Sequence, residues 1–272
     1  MTTDTVLLLA PRINETGLQL RTAAGRRGLR AHTATSWRAP QELLGAAVHV
    51  YGGPLFADAV GRELGLAPLE PTADWLARLP SALTGRQVTY TTLAEARRLR
   101  GPAFVKPPAD KLFAARVYPD GAALPGPELL DGDTPVLVSE VLRFHREYRL
   151  FVLDGAVRAA SRYAVDGELS VAPVAPVGGE DDGEDDGLLA FAADVLAAST
   201  GDAALPSAVV VDLGLTDGGD WSVVEANAAW ASGGYAAAPD DVLDVVLRSA
   251  GPADQLPPTD RPFLRTLPEV VR

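Results

Sequence analysis

The chain contains no cysteine. Thiol catalysis, disulfides and thiolate metal sites are therefore excluded. Histidine is scarce too: His32, His49 and His145 are too scattered for a His-rich zinc site. A hard metal held by oxygen ligands remains open. No apolar run approaches the roughly 18 residues of a membrane helix. The opening Met1-Thr2-Thr3-Asp4 has no basic signal region. The expectation is a cytoplasmic protein with no membrane contact. A net charge of −12 leaves no broad basic footprint for nucleic acid.

Lysine is the other shortage. Of 24 basic residues only Lys106 and Lys111 are lysine, and they fall in one stretch, Phe104-Val105-Lys106-Pro107-Pro108-Ala109-Asp110-Lys111. An ammonium is a compact charge on a flexible stem, suited to gripping phosphate oxygens. The competing reading is an arginine bias that leaves two lysines wherever they fall.

What is present is a chain of 272 residues, 47% of them hydrophobic, enough for one large domain or two to three small ones. Residues 5–9 form a short apolar run, a buried strand. A helix over about 15–27 stops at Gly28. Strands over 29–33 and 46–51 follow, then a helix over about 55–64. This alternation predicts a small parallel sheet with helices on its faces. Ligands of such sheets gather at the carboxyl ends of the strands, which carry Arg12 and Tyr51. Residues 66–84 read as a proline-rich connection. Thr92 caps a helix through about Arg100, with Glu95 as its partner. Strand candidates at 102–106, 112–118, 135–141, 147–153 and 156–163 follow without intervening helices, so the middle is antiparallel. Asp154-Gly155 marks a hairpin between the last two. The acidic stretch Gly178 to Gly187 is a solvated loop or a calcium site. Helices over 188–199 and 240–249 bracket two strands, 208–213 and 221–225.

Those two strands carry the chemistry. Asp212 ends the run Val209-Val210-Val211. Glu225 and Asn227 end Val223-Val224-Glu225-Ala226-Asn227. Pairing as a hairpin brings Asp212 near Glu225, and alternation puts Glu225 and Asn227 on one side. Three hard oxygen donors suit Mg²⁺ bridging nucleotide phosphates. The alternative makes Asp212 and Asn227 turn residues and Glu225 a solvent-facing one. Upstream, Glu147 and Arg149 share a strand face, and Arg162 on the return strand stands across from this segment.

In order and spacing these residues resemble the ATP-grasp superfamily over about residues 104–235. Lys106 is similar to the lysine that contacts phosphate. Ser139-Glu140-Val141-Leu142 resembles the hinge that meets adenine, partly through backbone groups. Glu147 resembles the acidic residue that binds the ribose hydroxyls. Asp212, Glu225 and Asn227 resemble the metal-binding Asp followed by Glu-x-Asn. Lys106, Lys111 and Arg149 further resemble a clade named for an arginine and two lysines. The chain departs from the common pattern in having no lysine before Lys106, Val210 where many members have arginine, and no evident glycine-rich lid.

The resemblance implies a fold of the α/β class, α+β overall. An N-terminal parallel α/β domain (1–80) precedes an ATP-grasp module of two subdomains with antiparallel sheets (81–139 and 140–272). It implies a ligase that binds ATP and Mg²⁺, with Mn²⁺ as an alternative, and joins a carboxylate to an amine or other nucleophile through an acyl phosphate, releasing ADP and phosphate. Its substrates would be small molecules or peptides, and the protein a monomer or homodimer. Lys106, Lys111, Ser139 to Leu142 and Glu147 would hold the nucleotide; Arg149, Arg162 and Lys111 would stabilise the transferring phosphoryl group. Arg12, Tyr51, Trp230, Gly233 and Tyr235 are the substrate-site candidates, core packing being the alternative for the two aromatic residues after Asn227. A phosphotransferase and a non-catalytic nucleotide-binding protein are the rival readings.

Overall fold

A computed structural model describes residues 5–108, 111–174, 185 and 187–269. The acidic stretch therefore lies outside the described residues except for Asp185 and Gly187.

The apolar run forms strand β1 (Thr5–Leu9). It pairs in parallel with β2 (Arg30–Thr33) on one side and β3 (Ala47–Tyr51) on the other. Helix α1 (Glu15–Arg26) crosses between β1 and β2, its first turn capped by Asn14 Oδ1 accepting from the Gly17 amide at 2.8 Å. The next helix, α2 (Pro54–Val60), is shorter than expected. Gly65 reverses the chain beyond it in the left-handed region, at φ 62°.

The proline-rich stretch is packed. It holds a short strand β4 (Leu66–Pro68) and two helical turns, α3 (Trp75–Arg78) and α4 (Ser81–Thr84). Trp75 and Leu76 are buried. Next comes a four-stranded antiparallel sheet of β5 (Val88–Thr92), β6 (Ala103–Lys106), β7 (Arg116–Tyr118) and β8 (Pro135–Ser139), in the order β5-β8-β6-β7. Strand β5 escaped the sequence reading, although Val-Thr-Tyr-Thr-Thr has the β-branched and aromatic composition of a strand. Thr92 caps α5 (Leu93–Ala96), accepting from the Glu95 amide at 3.3 Å, but the helix is one turn long and ends four residues early.

The second sheet is antiparallel in the order β11-β10-β9-β12-β13. Its strands are β9 (Phe144–Leu153), β10 (Ala156–Val165), β11 (Glu168–Pro173), β12 (Ala208–Thr216) and β13 (Trp221–Asn227), with α6 (Leu188–Ala198) between β11 and β12. Asp154-Gly155 makes the β9–β10 turn, both residues at positive φ (50° and 76°). Asp166-Gly167 repeats it between β10 and β11 (51° and 80°).

Alternation gives this sheet two buried faces. Tyr148, Leu150, Val152, Val209, Val211 and Leu213 pack against Trp75 and α6. Phe151, Ala159 and Val210 pack against Leu7, Leu9 and the long helix α7 (Pro239–Ser249). Val242, Leu243, Val245 and Val246 of α7 are fully buried there, each contributing about 1.5–3 kcal/mol. After α7 the strand β14 (Ala250–Pro252) pairs antiparallel with β4. Beyond it Arg265 grips Asp58 with two hydrogen bonds (2.8 and 2.9 Å) and Glu70 with a third (2.7 Å). The fold is mixed α/β, with one parallel sheet at the start and antiparallel sheets after it. No described helix is long and apolar enough to cross a membrane.

Candidate active site

The registers of three strands converge on Asp212. It lies opposite Arg149 of β9 on one side and Glu225 of β13 on the other. A bulge between Asp212 and Leu213 breaks the alternation of β13. Val223 therefore faces the core with Leu213, while Glu225 and Asn227 turn to the Asp212 side. A bulge re-aims a side chain in this way by adding one residue to one strand.

Asp212 is buried, and Arg149 clamps both its oxygens, Nε to Oδ1 at 2.9 Å and Nη2 to Oδ2 at 2.7 Å. Asn227 Nδ2 donates to Glu225 Oε1 at 2.8 Å and to Asp212 Oδ2 at 3.3 Å. Glu225 Oε2 accepts from Lys106 Nζ. Because Lys106 ends β6 in the other sheet, this ion pair links the two antiparallel sheets.

The electrostatics follow from burial and pairing. Burial pushes the Asp212 carboxyl above the usual carboxylate range, against the charge of Arg149. Burial alone would lower the Arg149 guanidinium, but Asp212 outweighs it and holds the group protonated. Glu225 is likewise penalised by burial, yet Lys106 draws it below the ordinary range. Glu147 is raised by burial; the Tyr163 hydroxyl, donating at 2.8 Å, opposes the shift, while Asp212 and Glu225 add to it.

Two aromatic rings flank Arg149. Tyr163 and Tyr235 stack with centroids 5.3 Å apart, and the guanidinium lies 5.6 and 5.3 Å from them. Tyr235 sits at φ 51°. For a bulky side chain that is strained backbone. The Gly233 carbonyl accepts from Arg149 Nη1 at 3.4 Å.

Two cavities meet at Lys106 and Glu225, which line both. One, of about 510 Å³, is also walled by Phe104, Ser139, Glu140, Leu142 and Glu147. The other, of about 740 Å³, reaches Asn227, Ser232, Lys111 and Trp75. Both fall in the size range of small-molecule and cofactor pockets.

The remaining sequence candidates are distributed as follows. Glu140 is anchored to the Gln87 amide at 3.0 Å, and Val141 is 47% exposed. Lys111 is exposed on the wall of the larger cavity. Arg162 lies across from Tyr148, whose ring is on the opposite face from Arg149, and its Nε donates to the Ser170 carbonyl at 3.4 Å. Arg12 and Tyr51 line a small pocket of about 150 Å³ at the carboxyl ends of β1 and β3, where the Tyr51 hydroxyl donates to the Ser232 carbonyl at 3.0 Å. Trp230 is a correction to the substrate set: it is fully buried, its indole N–H donates to the Leu69 carbonyl at 2.8 Å, and it belongs to the core. For this residue the packing alternative holds.

Arg86 was missed. It lines the smaller cavity, donates to the Thr84 and Val223 carbonyls (2.7 and 2.9 Å) and lies over the Phe144 ring at 5.7 Å. Burial lowers its pKa. No carboxylate among the described residues pairs with it, so an anion in the cavity would supply the missing counter-charge. At the rim of the same cavity His145, Asp166 and Asp217 bring ligand atoms within 4.8 Å of one another.

The donors at the junction fit a hard cation. Glu225 and Asn227 face the larger cavity, and a carboxylate has about four lone-pair sites, so Asp212 keeps acceptor capacity beyond its bonds to Arg149 and Asn227.

Residues 83–245 match a family model for the ATP-grasp domain, family 2 of the clade named for one arginine and two lysines. The chain belongs to this ATP-grasp family. Among solved structures it is similar to a RimK domain ATP-grasp protein from Sphaerobacter thermophilus DSM 20745, at 16% identity over 89% of this chain and 99% of that one, with a TM-score of 0.53. It is similar also to the D-cycloserine synthetase DcsG, at 17% identity over 89% and 98%, with a TM-score of 0.54. At such identities the likeness is one of ATP-grasp fold. No curated protein matches the sequence.

Proposed function

We propose that this ATP-grasp protein is a ligase that uses ATP and Mg²⁺ to join a carboxylate to an amine or another nucleophile, releasing ADP and phosphate. The observation that carries the reading is the meeting of two cavities at Lys106 and Glu225. One takes the nucleotide and the other the substrate, so the phosphoryl group passes where they join.

In this reading the smaller cavity holds the nucleotide. Residues 139–142 meet the base and Glu147 the ribose, while Arg86 and Lys106 face the phosphates. Asp212, Glu225 and Asn227 would hold Mg²⁺, which would neutralise phosphate charge when bound. Catalysis then rests on positioning and fixed charge. A carboxylate oxygen of the substrate attacks the γ-phosphorus and ADP leaves. The nucleophile next attacks the acyl carbon, phosphate departs, and the new amide nitrogen loses its proton. Arg149, locked on Asp212 and flanked by two rings, is a rigid cation for the acyl-phosphate oxygens. Tyr163 and Tyr235 fix its plane. Lys111 serves the substrate side.

The division at residues 80 and 139 would place the Lys106–Glu225 contact at the seam of the two ATP-grasp subdomains. The test is a pooled carboxylate-plus-amine screen read by ADP release and mass detection. ADP formation that needs both substrates, with a product lighter than their sum by one water, is the expected result. Glu225→Ala should abolish it with the fold intact. Turnover unchanged in that variant sinks the assignment, and phosphorylated carboxylate as the final product would make the protein a phosphotransferase.

A further inference from the structure

The larger cavity offers more wall than phosphoryl transfer needs. The reacting carboxylate has to reach only the Lys106, Glu225 and Asn227 end. Away from that end Leu55, Pro71, Trp75, Leu76 and Leu112 form an apolar stretch of wall, beside Asp58, Glu70 and Arg265, whose charges are paired with one another. Leu55 and Leu112 are 73% and 53% exposed. A lone exposed leucine is ordinary. Here one comes from α2 and the other from the segment after β6, and both line one cavity of about 740 Å³. That volume is the range of drug-sized ligands, far beyond glycine or alanine. Lys111 supplies positive charge on the same wall.

We propose that the carboxylate substrate carries a sizeable apolar body, aliphatic or aromatic, which lies across Leu55, Trp75 and Leu112 while its carboxylate points to Lys106. The inference rests on the ligase reading for the identity of the cavity's occupant. It adds the class of that occupant. A small polar amino acid would leave both leucines in water. An apolar chain covers them, and each methylene it buries strengthens binding.

The experiment titrates butanoate, hexanoate and octanoate into the full chain with Mg²⁺ and a non-hydrolysable ATP analogue, followed by calorimetry. The affinity should rise about fourfold per added methylene. Leu55→Asn and Leu112→Asn should each cut that gain to below about twofold per methylene. Both residues are surface-exposed, and nucleotide affinity, measured on the same samples, reports that the variants are folded. A flat series in the wild type overturns the proposal. So does failure of all three carboxylates to bind, or the full methylene gain retained in both variants. The titration involves no turnover, so failure of the ligase reading shows separately, as absence of ADP release when ATP replaces the analogue and an amine is added with the carboxylates.

Discussion

Lys106 donates to Glu225, which makes it a built-in competitor for the cation that Glu225 is proposed to hold. Lys106→Met should therefore have two effects of opposite sign. Metal alone should bind more tightly, because Glu225 no longer has to release an ammonium. Nucleotide with metal should bind less tightly, because the released ammonium is what meets the phosphates. The size follows from the geometry. Two unit charges at about 4 Å interact by about 4 kcal/mol at an effective dielectric of 20. Glu225 is 31% exposed at its side chain and Lys106 13%, so solvent screening and the cost of desolvation leave about 1–2 kcal/mol. That corresponds to about 5–30-fold in affinity. The assay is titration with Mn²⁺ in the absence of nucleotide, following the paramagnetic resonance of the free ion. An unchanged or weakened metal-only affinity in folded Lys106→Met refutes the reasoning. Glu225→Gln separates the two ideas: if it leaves Mn²⁺ binding untouched, the metal is not at Glu225 at all.

Three further outcomes follow from the packing. An added Cβ at Gly214 would overlap the Phe144 ring, so Gly214→Ala should displace the ring under Arg86, cost about 1–3 kcal/mol in urea unfolding and weaken ATP binding; unchanged affinity and stability would show that the ring moves freely. Arg265→Ala leaves Asp58 and Glu70 without their shared guanidinium, all three being less than a quarter exposed at the side chain, and should cost about 2–4 kcal/mol; a loss under about 0.5 kcal/mol would mark the cluster as an ordinary surface pair. His49 is held below its ordinary pKa by burial, against its hydrogen bond to the Leu247 carbonyl. The unfolded chain then takes up the proton more readily, so stability is full above about pH 6.5 and falls as pH drops toward the lower folded value. The decline in melting temperature on acidification should be shallower in His49→Gln, and identical declines would remove the argument.

Much of the architecture was legible because it is written in local periodicity. The run Val209-Val210-Val211 with a single acid at its end, and the Glu-x-Asn pattern on the strand that pairs with it, predict the side-chain cluster that the strand pairing brings together. Asp154-Gly155 marked its hairpin, and Asp166-Gly167 carried the same signal unread. What was not legible depends on contacts between distant segments. Nothing local says that β13 bulges beside Asp212, yet the bulge decides which way Glu225 faces. Arg86 resembles any other arginine among 22 until the two sheets meet around it. Trp230 was equally ambiguous: the backbone on either side of it reaches the site, but its ring points into the first sheet's core, with its N–H bound at Leu69.

The pairing of β4 with β14 sets a constraint on the order of synthesis. Among the described residues, 66–68 find their strand partner only in residues 250–252, and Arg265 closes the same region from later still. Helix α7, which covers β1 and α1 through Val242, Leu243, Val245 and Val246, also emerges late. The first part of the chain thus leaves the ribosome with its apolar edge bare and stays so until these late segments are made. Such long-range closure slows folding and leaves nascent chains prone to aggregation. It also means that a fragment ending near residue 80 would lack the segment that seals its own last strand.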